Sequence, residues 1–280
     1  MGIKTDFSFL KAQAKDKQTL NHLTQIEKDW HTIREKGIQI KDNKKFILKL
    51  RNIKIQTSRK FASSSLDTYL EMYKLKAHMK HPLFNGKNDS IVVDLGANEG
   101  FYIIAMKENN PNLRIVGAEA LPINFSILNK NIALNKLKNI EIIKSAVTNK
   151  NGKIYFEYYP GVSAIAATDI AMQKRIWVKN KIIKKITVPS ITLSTLCKKK
   201  KINFIDILKL DVEGSEYDIL TSSEEVLKKT KKVVIEWHSQ ELKTKCKKFM
   251  QKLGFDLVLE EKEIENSCGE IYLINKKLNV

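Results

Sequence analysis

Apolar residues recur early in the chain at helical spacing. Leu20, Leu23, Ile26, Trp30 and Ile33 follow one another by three, three, four and three positions, the stripe of a helix burying one face. The pattern predicts helix over residues 1 to about 36. The period then shortens: Phe46, Leu48 and Leu50 alternate, Arg51 and Asn52 interrupt, and Ile53 and Ile55 resume. That is the mark of a short hairpin. A second helical stripe, Leu66, Leu70, Tyr73 and Ala77, runs through "SSLDTYLEMYKLKAHM", with Ser or Asp available as caps. "HPLFNGKND" ends it with Pro82 and Gly86.

From Ser90 the texture changes. "IVVDL" reads as a buried strand, "FYIIAMKEN" as a helix, "LRIVGAEA" as a strand, "PINFSILNKNIALN" as a helix opened by Pro122, and "IEIIKSAV" as a strand. "NGKIYFEYY" and the residues through Val188 interrupt the alternation, as a β-excursion with a hairpin and a helical piece around Asp169 to Lys179. The alternation resumes with "FIDILKLDV", "EYDILTSSEEVLKK", "KVVIEWH" and "ELKTKCKKFMQKLG", where Gly254 stops the last helix. "FDLVLEE" and "EIYLINKK" then follow without an intervening helix, as an antiparallel pair. Strands alternating with helices imply parallel βαβ units. The expected fold is α/β: a Rossmann-like seven-stranded sheet, mostly parallel with an antiparallel C-terminal strand and helices on both faces, carrying a helical N-terminal extension. The division falls at 1–89 for the extension with its hairpin and 90–280 for the sheet domain. Ligands of such sheets sit at the C-terminal strand ends, where the strand order reverses.

Composition narrows the partners. The 280 residues carry a formal charge of +19, yet five of the 50 basic residues are arginine, so 45 are lysine. Nucleic-acid sites favour arginine for bidentate and stacking contacts, and the lysines are spread along the whole chain. Nucleic acid is therefore the alternative partner, not the favoured one. No run approaches the length of about 20 apolar residues that a membrane helix needs, and the first residues lack an apolar signal region. Cys197, Cys246 and Cys268 lie far apart and fit no disulfide or zinc spacing. A cytoplasmic protein without a metal site is the expectation.

The chemistry concentrates in two stretches. In "IVVDLGANEGFYI", Gly96 and Gly100 follow the first core strand, where glycine lets backbone approach a ligand. A dinucleotide fingerprint needs glycine at the first, third and sixth positions; here those are Gly96, Asn98 and Phe101. Asp94 at the strand end would repel a diphosphate and suit a cation or hydroxyls. Glu119 ends the next strand, at the distance where a carboxylate receives ribose hydroxyls. The implied ligand is a cationic nucleoside without a pyrophosphate, and S-adenosylmethionine meets those demands. In "ILKLDVEGSEYDIL", Lys209 and Asp211 share a strand face, and Glu213 falls in the turn that follows. Glu236 and His238 share a face at the end of the next strand.

These motifs, with "GAEALPINFSILNKNIALN", "SAVTNKNGKIYFEYYPGVSA" and "VPSITLSTL", resemble in order and spacing the FkbM-type methyltransferases, class I S-adenosylmethionine-dependent enzymes that are mostly O-methyltransferases. The resemblance runs from about Ser90 to the C-terminus. It implies a cofactor loop at Asp94, Gly96, Asn98 and Gly100, a ribose clamp at Glu119, and an adenine flanked by Ser145 and Ala146. It puts Asp211 and Glu213 beside the methyl-transfer site and "GVSA" near the cleft. The acceptor it implies is a small molecule or glycan with a hydroxyl, positioned or deprotonated by Asp211 or Glu213, with His238 the lesser candidate. The alternative is an RNA methyltransferase using the same cofactor.

Overall fold

The first helical stripe folds as two helices, α1 (Phe7–Gln13) and α2 (Lys17–Lys36). An aspartate opens each: Asp6 accepts the amide of Phe9 and Asp16 that of Thr19, which satisfies amides that have no partner in a first turn. Leu23 and Ile26 are buried, whereas Leu20 stays exposed. The chain is described by a computed structural model over residues 6–36, 40–158, 166–167, 184–262 and 268–278. The expected helical piece around 169–179 and the "GVSA" loop lie outside those residues.

The expected hairpin is β1 (Lys45–Leu50) against β2 (Ile53–Ser58), with Leu50 opposite Ile53. Bidentate hydrogen bonds from Arg59 to Asp29 tie it to α2. Helix α3 (Ala62–Tyr73) departs from expectation at both ends. No side chain caps its start; Ser65 is instead turned inward onto Thr57 and Glu99. The helix stops before Ala77, because Lys76 and His78 take left-handed φ values of 59° and 61°. That turn brings the His78 amide to Glu270, at 2.8 Å.

The sheet domain begins with β3 (Ile91–Leu95), α4 (Phe101–Asn109), β4 (Arg114–Glu119), α5 (Pro122–Leu134) and β5 (Ile140–Lys144). "IEIIKSAV" is not one strand. It breaks at Ser145, and β6 (Ala146–Val147) joins a separate small sheet with β7 (Gly152–Tyr158), β8 (Ala166–Ala167) and β9 (Lys184–Ile191). In this β-excursion β7 and β9 pair antiparallel. There follow α6 (Leu193–Lys199) and β10 (Ile205–Leu210), then α7 (Glu216–Thr221) and α8 (Glu224–Leu227), which divide the single expected helix at Ser222 and Ser223. Strand β11 (Thr230–Trp237), α9 (Gln240–Leu253), β12 (Phe255–Lys262) and β13 (Gly269–Asn275) complete the domain, with Gly254 left-handed at the end of α9. The seven strands lie in the order β12-β13-β11-β10-β3-β4-β5. β13 slots between β12 and β11, antiparallel to both. Among the described residues no helix is long and apolar enough to cross a membrane.

Strand alternation divides the core. Val92, Ile207, Val234 and Tyr272 pack on one face with α4 and with α1, α2, α3 and the hairpin of the extension; Val93, Leu208, Val233 and Leu273 pack on the other with α6 and α9. Two-residue periodicity then puts Asp94 and Lys209 on the extension's face. They are direct partners in the β3–β10 register, at the point where the chain leaves one half of the sheet for the other. Lys209 Nζ donates to Asp94 Oδ1 and to the Gly96 carbonyl, both at 3.0 Å, and both side chains are buried.

A buried charge stripped of its partner costs about 3–5 kcal/mol. Lys209→Met is therefore expected to lower the unfolding free energy in urea by that amount, and Asp94→Leu added to it to recover most of the loss. Equal unfolding midpoints for the wild type and Lys209→Met would show that the pair is not a structural requirement.

Candidate functional site

The exit of β3 is shaped by contacts too close for side chains. Gly96 has φ +84°, and a Cβ there would lie 1.8 Å from the carbonyl oxygen of Asp211. The amides of Gly96 and Ala97 both donate to the Ala118 carbonyl, so the loop folds back over β4. Asn98 takes φ 47°, which points its amide at Glu119 Oε2, 2.8 Å away. Gly100, at φ +89°, opens α4, and a Cβ on it would meet Leu128 at 2.4 Å.

This loop forms one wall of a cleft over the C-terminal strand ends, where sheets of this kind bind their ligands. Gly96, Asn98 and Glu119 line it from β3 and β4, Ser145 and Ala146 from the break after β5, and Asp211 and Glu213 from the exit of β10. Three expected site residues are not in its lining. Asp94 lies beneath, held by Lys209. Gly100 packs against α5. His238 stands behind Glu213, its Nε2 3.1 Å from Glu213 Oε2. The Ser145 hydroxyl lies 3.0 Å from the carbonyls of Ala146 and Pro189, so it braces the two sheets. The sequence reading missed Asn124 and Phe156, which also line the cleft. Nothing in the sequence signals Phe156, because its reach depends on how the small sheet folds over.

Glu119 is the polar centre of this wall. Its Oε1 accepts the amide of Leu121 and its Oε2 that of Asn98. A carboxylate has about four lone-pair sites, so acceptor capacity remains on the cleft side. Burial drives its pKa up to about 7, against the pull of those two amides.

Beyond Asp211 the site becomes crowded with ionisable groups. Asp211 is 3.5 Å from Lys209. Glu213 follows in a left-handed turn with Gly214. His238 Nδ1 lies 2.8 Å from Glu216 Oε1, a fully buried carboxylate that also accepts the Gly214 amide. Across the cluster stands His78, whose Nε2 is 3.6 Å from Glu236 and 3.9 Å from Asp211, and whose Nδ1 is 3.2 Å from Glu270. Burial pushes His78 below the usual imidazole range. Burial pulls His238 the same way, but Glu216, Glu236 and Asp211 outweigh it and lift the ring to about 9. Glu236 is raised well above the carboxylate range by burial and by Asp211. The reverse holds for Asp211, where Lys209 and both imidazoles outweigh burial and lower it. The sequence suggests no metal-ligand set, since these residues follow no ligand spacing. The fold nevertheless brings His78, Glu236 and Glu270 together, and Asp211, Glu213 and His238 together, with ligand atoms within 4.8 Å of one another in each trio. His78 was not foreseen; only the turn after α3 carries it to the sheet.

Comparison of the chain with known proteins identifies a family. The Methyltransferase FkbM domain matches residues 94–262. Methyltransferase sdnD of Sordaria araneosa is 24% identical over 208 residues, covering 65% of this chain and 80% of that protein. The 2-O-methyltransferase NoeI of Sinorhizobium fredii (strain NBRC 101917 / NGR234) is 24% identical over 177 residues, 60% of this chain and 71% of its own. The crystal structure of methyltransferase FkbM from Methylobacillus flagellatus KT aligns with a TM-score of 0.48 at 12% identity, over 95% of this chain and 57% of that one. With the family match spanning more than half of its length, the chain belongs to the FkbM methyltransferases, and its methyl donor is S-adenosylmethionine.

Proposed function

We propose that the protein is an O-methyltransferase acting on a hydroxyl of a small molecule or glycan. The observation that carries this reading is the pair of carboxylates, Asp211 and Glu213, lining the same cleft as Glu119 and the Gly96 loop. A hydroxyl acceptor is a weak nucleophile, and a carboxylate within hydrogen-bond reach holds it in line and accepts its proton. The similarity to NoeI, a 2-O-methyltransferase, supports the choice of oxygen.

The residues of the cleft fit the donor. Gly96 and Asn98 offer a close backbone approach for its amino-acid end, Glu119 receives the ribose hydroxyls, and Ala146 packs against the base. The bound donor supplies an electrophilic methyl carbon. The chain contributes orientation, exclusion of water by the walls of the cleft, and proton acceptance at Glu213, whose turn aims it into the cleft. Asp211, held by Lys209, positions the acceptor. His238 fixes Glu213 from behind.

Two outcomes are expected. Glu119 is above its ordinary pKa of 4.5 in the free protein, at about 7. Ionising it costs the ligand-free fold stability as pH rises through about 7. Ribose hydroxyls donate to the ionised carboxylate, so affinity moves the opposite way. Calorimetry with S-adenosylhomocysteine is expected to show affinity falling about tenfold per pH unit below 7, and Glu119→Ala to bind weakly with no such slope. A pH-independent affinity in the wild type would remove Glu119 from the ribose contact. Glu213→Gln is expected to slow methyl transfer by about 100-fold or more with calorimetric cofactor affinity retained; unchanged turnover would mean that Glu213 takes no proton.

A further inference from the structure

We propose that the outward face of the β1–β2 hairpin, walled by α2 and α5, is a binding groove for an acidic oligosaccharide. The groove stands on its own residues; its service to the methylation cleft rests on the hydroxyl-acceptor reading.

The groove follows from strand alternation. Leu48 and Leu50 of β1 and Ile53 and Ile55 of β2 are buried in the core. The period of two therefore turns Lys45, Ile47 and Lys49 outward, with Lys54 and Gln56 beside them. Helix α2 lies along β1 and α5 along β2. They raise the two sides, Gln18 and His22 on one, Lys130 and Leu134 on the other. One face of a two-stranded sheet is thus left open between two helices.

Charge decides what it takes. Lys44, Lys45, Lys49, Lys54 and Lys130 line the groove, and among the described residues no acid does. Lys49 reaches out to Asp16, 2.8 Å away; the other four make no ion pair among the described residues. Lys49 and Lys54 are direct partners in the hairpin register, and like charges placed opposite each other destabilise a strand pair. An anion in the groove relieves that repulsion. Lysines are spread along the whole sequence, yet the fold draws these five, from three separate elements and a loop, into one hollow.

The class of anion follows from the other residues. No arginine lines the groove. A lysine ammonium is a point charge, suited to separate carboxylate, sulfate or phosphate groups rather than to the bidentate and stacking contacts of a nucleic acid. His22 stacks on Phe46, with centroids 4.3 Å apart and planes at 10°, and so covers a ring face that a base would need. A hollow walled by helices does not match a flat membrane. Gln18 and Gln56 carry amides that both donate and accept, as sugar hydroxyls require. Exposed Ile47 offers an apolar contact to the C–H face of a sugar ring. Separate charges, hydroxyls and apolar ring faces in one ligand describe an acidic oligosaccharide. Helix α5 runs from the cleft, which Asn124 lines, to the groove, which Lys130 lines. Six residues of helix rise about 9 Å, so a glycan held in the groove lies near enough to place a further sugar at the cleft.

Calorimetry of the full-length protein with hexagalacturonate, and separately with a heparin-derived hexasaccharide, tests the groove, with neutral maltohexaose as the blank. At least one acidic hexasaccharide is expected to bind, more weakly as salt rises, and maltohexaose not to. Lys44→Glu, Lys54→Glu and Lys130→Glu combined are expected to lower that affinity about tenfold or more. Lys198→Glu, Lys248→Glu and Lys252→Glu combined, the same charge change on exposed lysines elsewhere, are expected to retain it. Three results overturn the proposal: a wild type that binds neither acidic hexasaccharide, equal losses in the two triple variants, or tighter binding of hexauridylate or of phosphatidylglycerol vesicles. Should the groove variant not fold, as judged by circular dichroism, lysine acetylation of the wild type decides. Protection of Lys44, Lys54 and Lys130 but not of Lys198 by the bound hexasaccharide supports the groove, and uniform protection overturns it. None of these readouts needs methyl transfer, so binding without methylation counts against the acceptor reading and leaves the groove standing.

Discussion

The ion pair between Asp94 and Lys209 is the constraint on which the rest of the site depends. The two residues face each other in the register of β3 and β10, where the chain order reverses and the sheet opens. Burying two charges is expensive, and the cost is offset only when geometry is good and the remaining polar atoms are used. Here Lys209 divides its protons between Asp94, the Gly96 carbonyl and Asp211, and its ammonium lies over the Tyr102 ring. One side chain thus links the strand that begins the glycine loop to the strand that ends at Asp211. Asp94 serves the site from below, by fixing where Gly96 and Asp211 meet.

From that pair outward, polarity increases along one face of the sheet. Val92, Ile207, Val234 and Tyr272 fill its apolar part. Two residues further along their strands, the same face presents Asp94, Lys209, Glu236 and, on the antiparallel β13, Glu270. The period of two that makes a strand amphipathic therefore also aligns the acids into one layer. Packing the extension over the apolar part buries the start of that layer, and the carboxylates must then find protons, amides or cations. Glu270 takes the Tyr272 hydroxyl and the His78 amide; Glu119 takes two amides. Nearer the cleft, burial and the charge of Asp211 raise Glu236, whereas Lys209 and the two imidazoles lower Asp211 against its burial.

Much of this was legible in the sequence because it depends on local spacing. The alternation of strand and helix, the two glycines after β3, Glu119 and the Lys209–Asp211 face all follow from periodicity and from counting. What was not legible depends on distant parts of the chain meeting. Ala77 continues a helical stripe, yet the helix ends earlier, since His78 is drawn to Glu270, 192 positions away. Ser145 breaks a strand because Lys144 before it pairs with β4 whereas Ala146 and Val147 after it pair with β9. His238 was foreseen at a strand end, but Glu216, which orients it, lies in "GSEYDIL" as an ordinary first-turn acid. A cluster of imidazoles and carboxylates assembled from a turn, two strand ends and a loop leaves no spacing to read.

The change of texture at Ser90 divides the sequence more sharply than it divides the energetics. Leu10, Leu23, Leu48, Leu66 and Tyr69 belong to the same buried cluster as Phe101, Ile104 and Ile115. The edge of the hairpin is satisfied by side chains of the sheet domain: Asn135 exchanges two hydrogen bonds with the backbone of Lys54, and Asn131 accepts the Gln56 amide. Asn131 also donates to the carbonyl of Glu99, whose carboxylate accepts from Ser65. An open strand edge is a liability for pairing with other chains, and here α5 closes it with amides. The same contacts clamp the residue between Asn98 and Gly100 from both sides. The extension therefore reaches the site twice, through Ser65 on Glu99 beneath the glycine loop and through His78 at the far wall of the acidic cluster, and a chain lacking it would expose both.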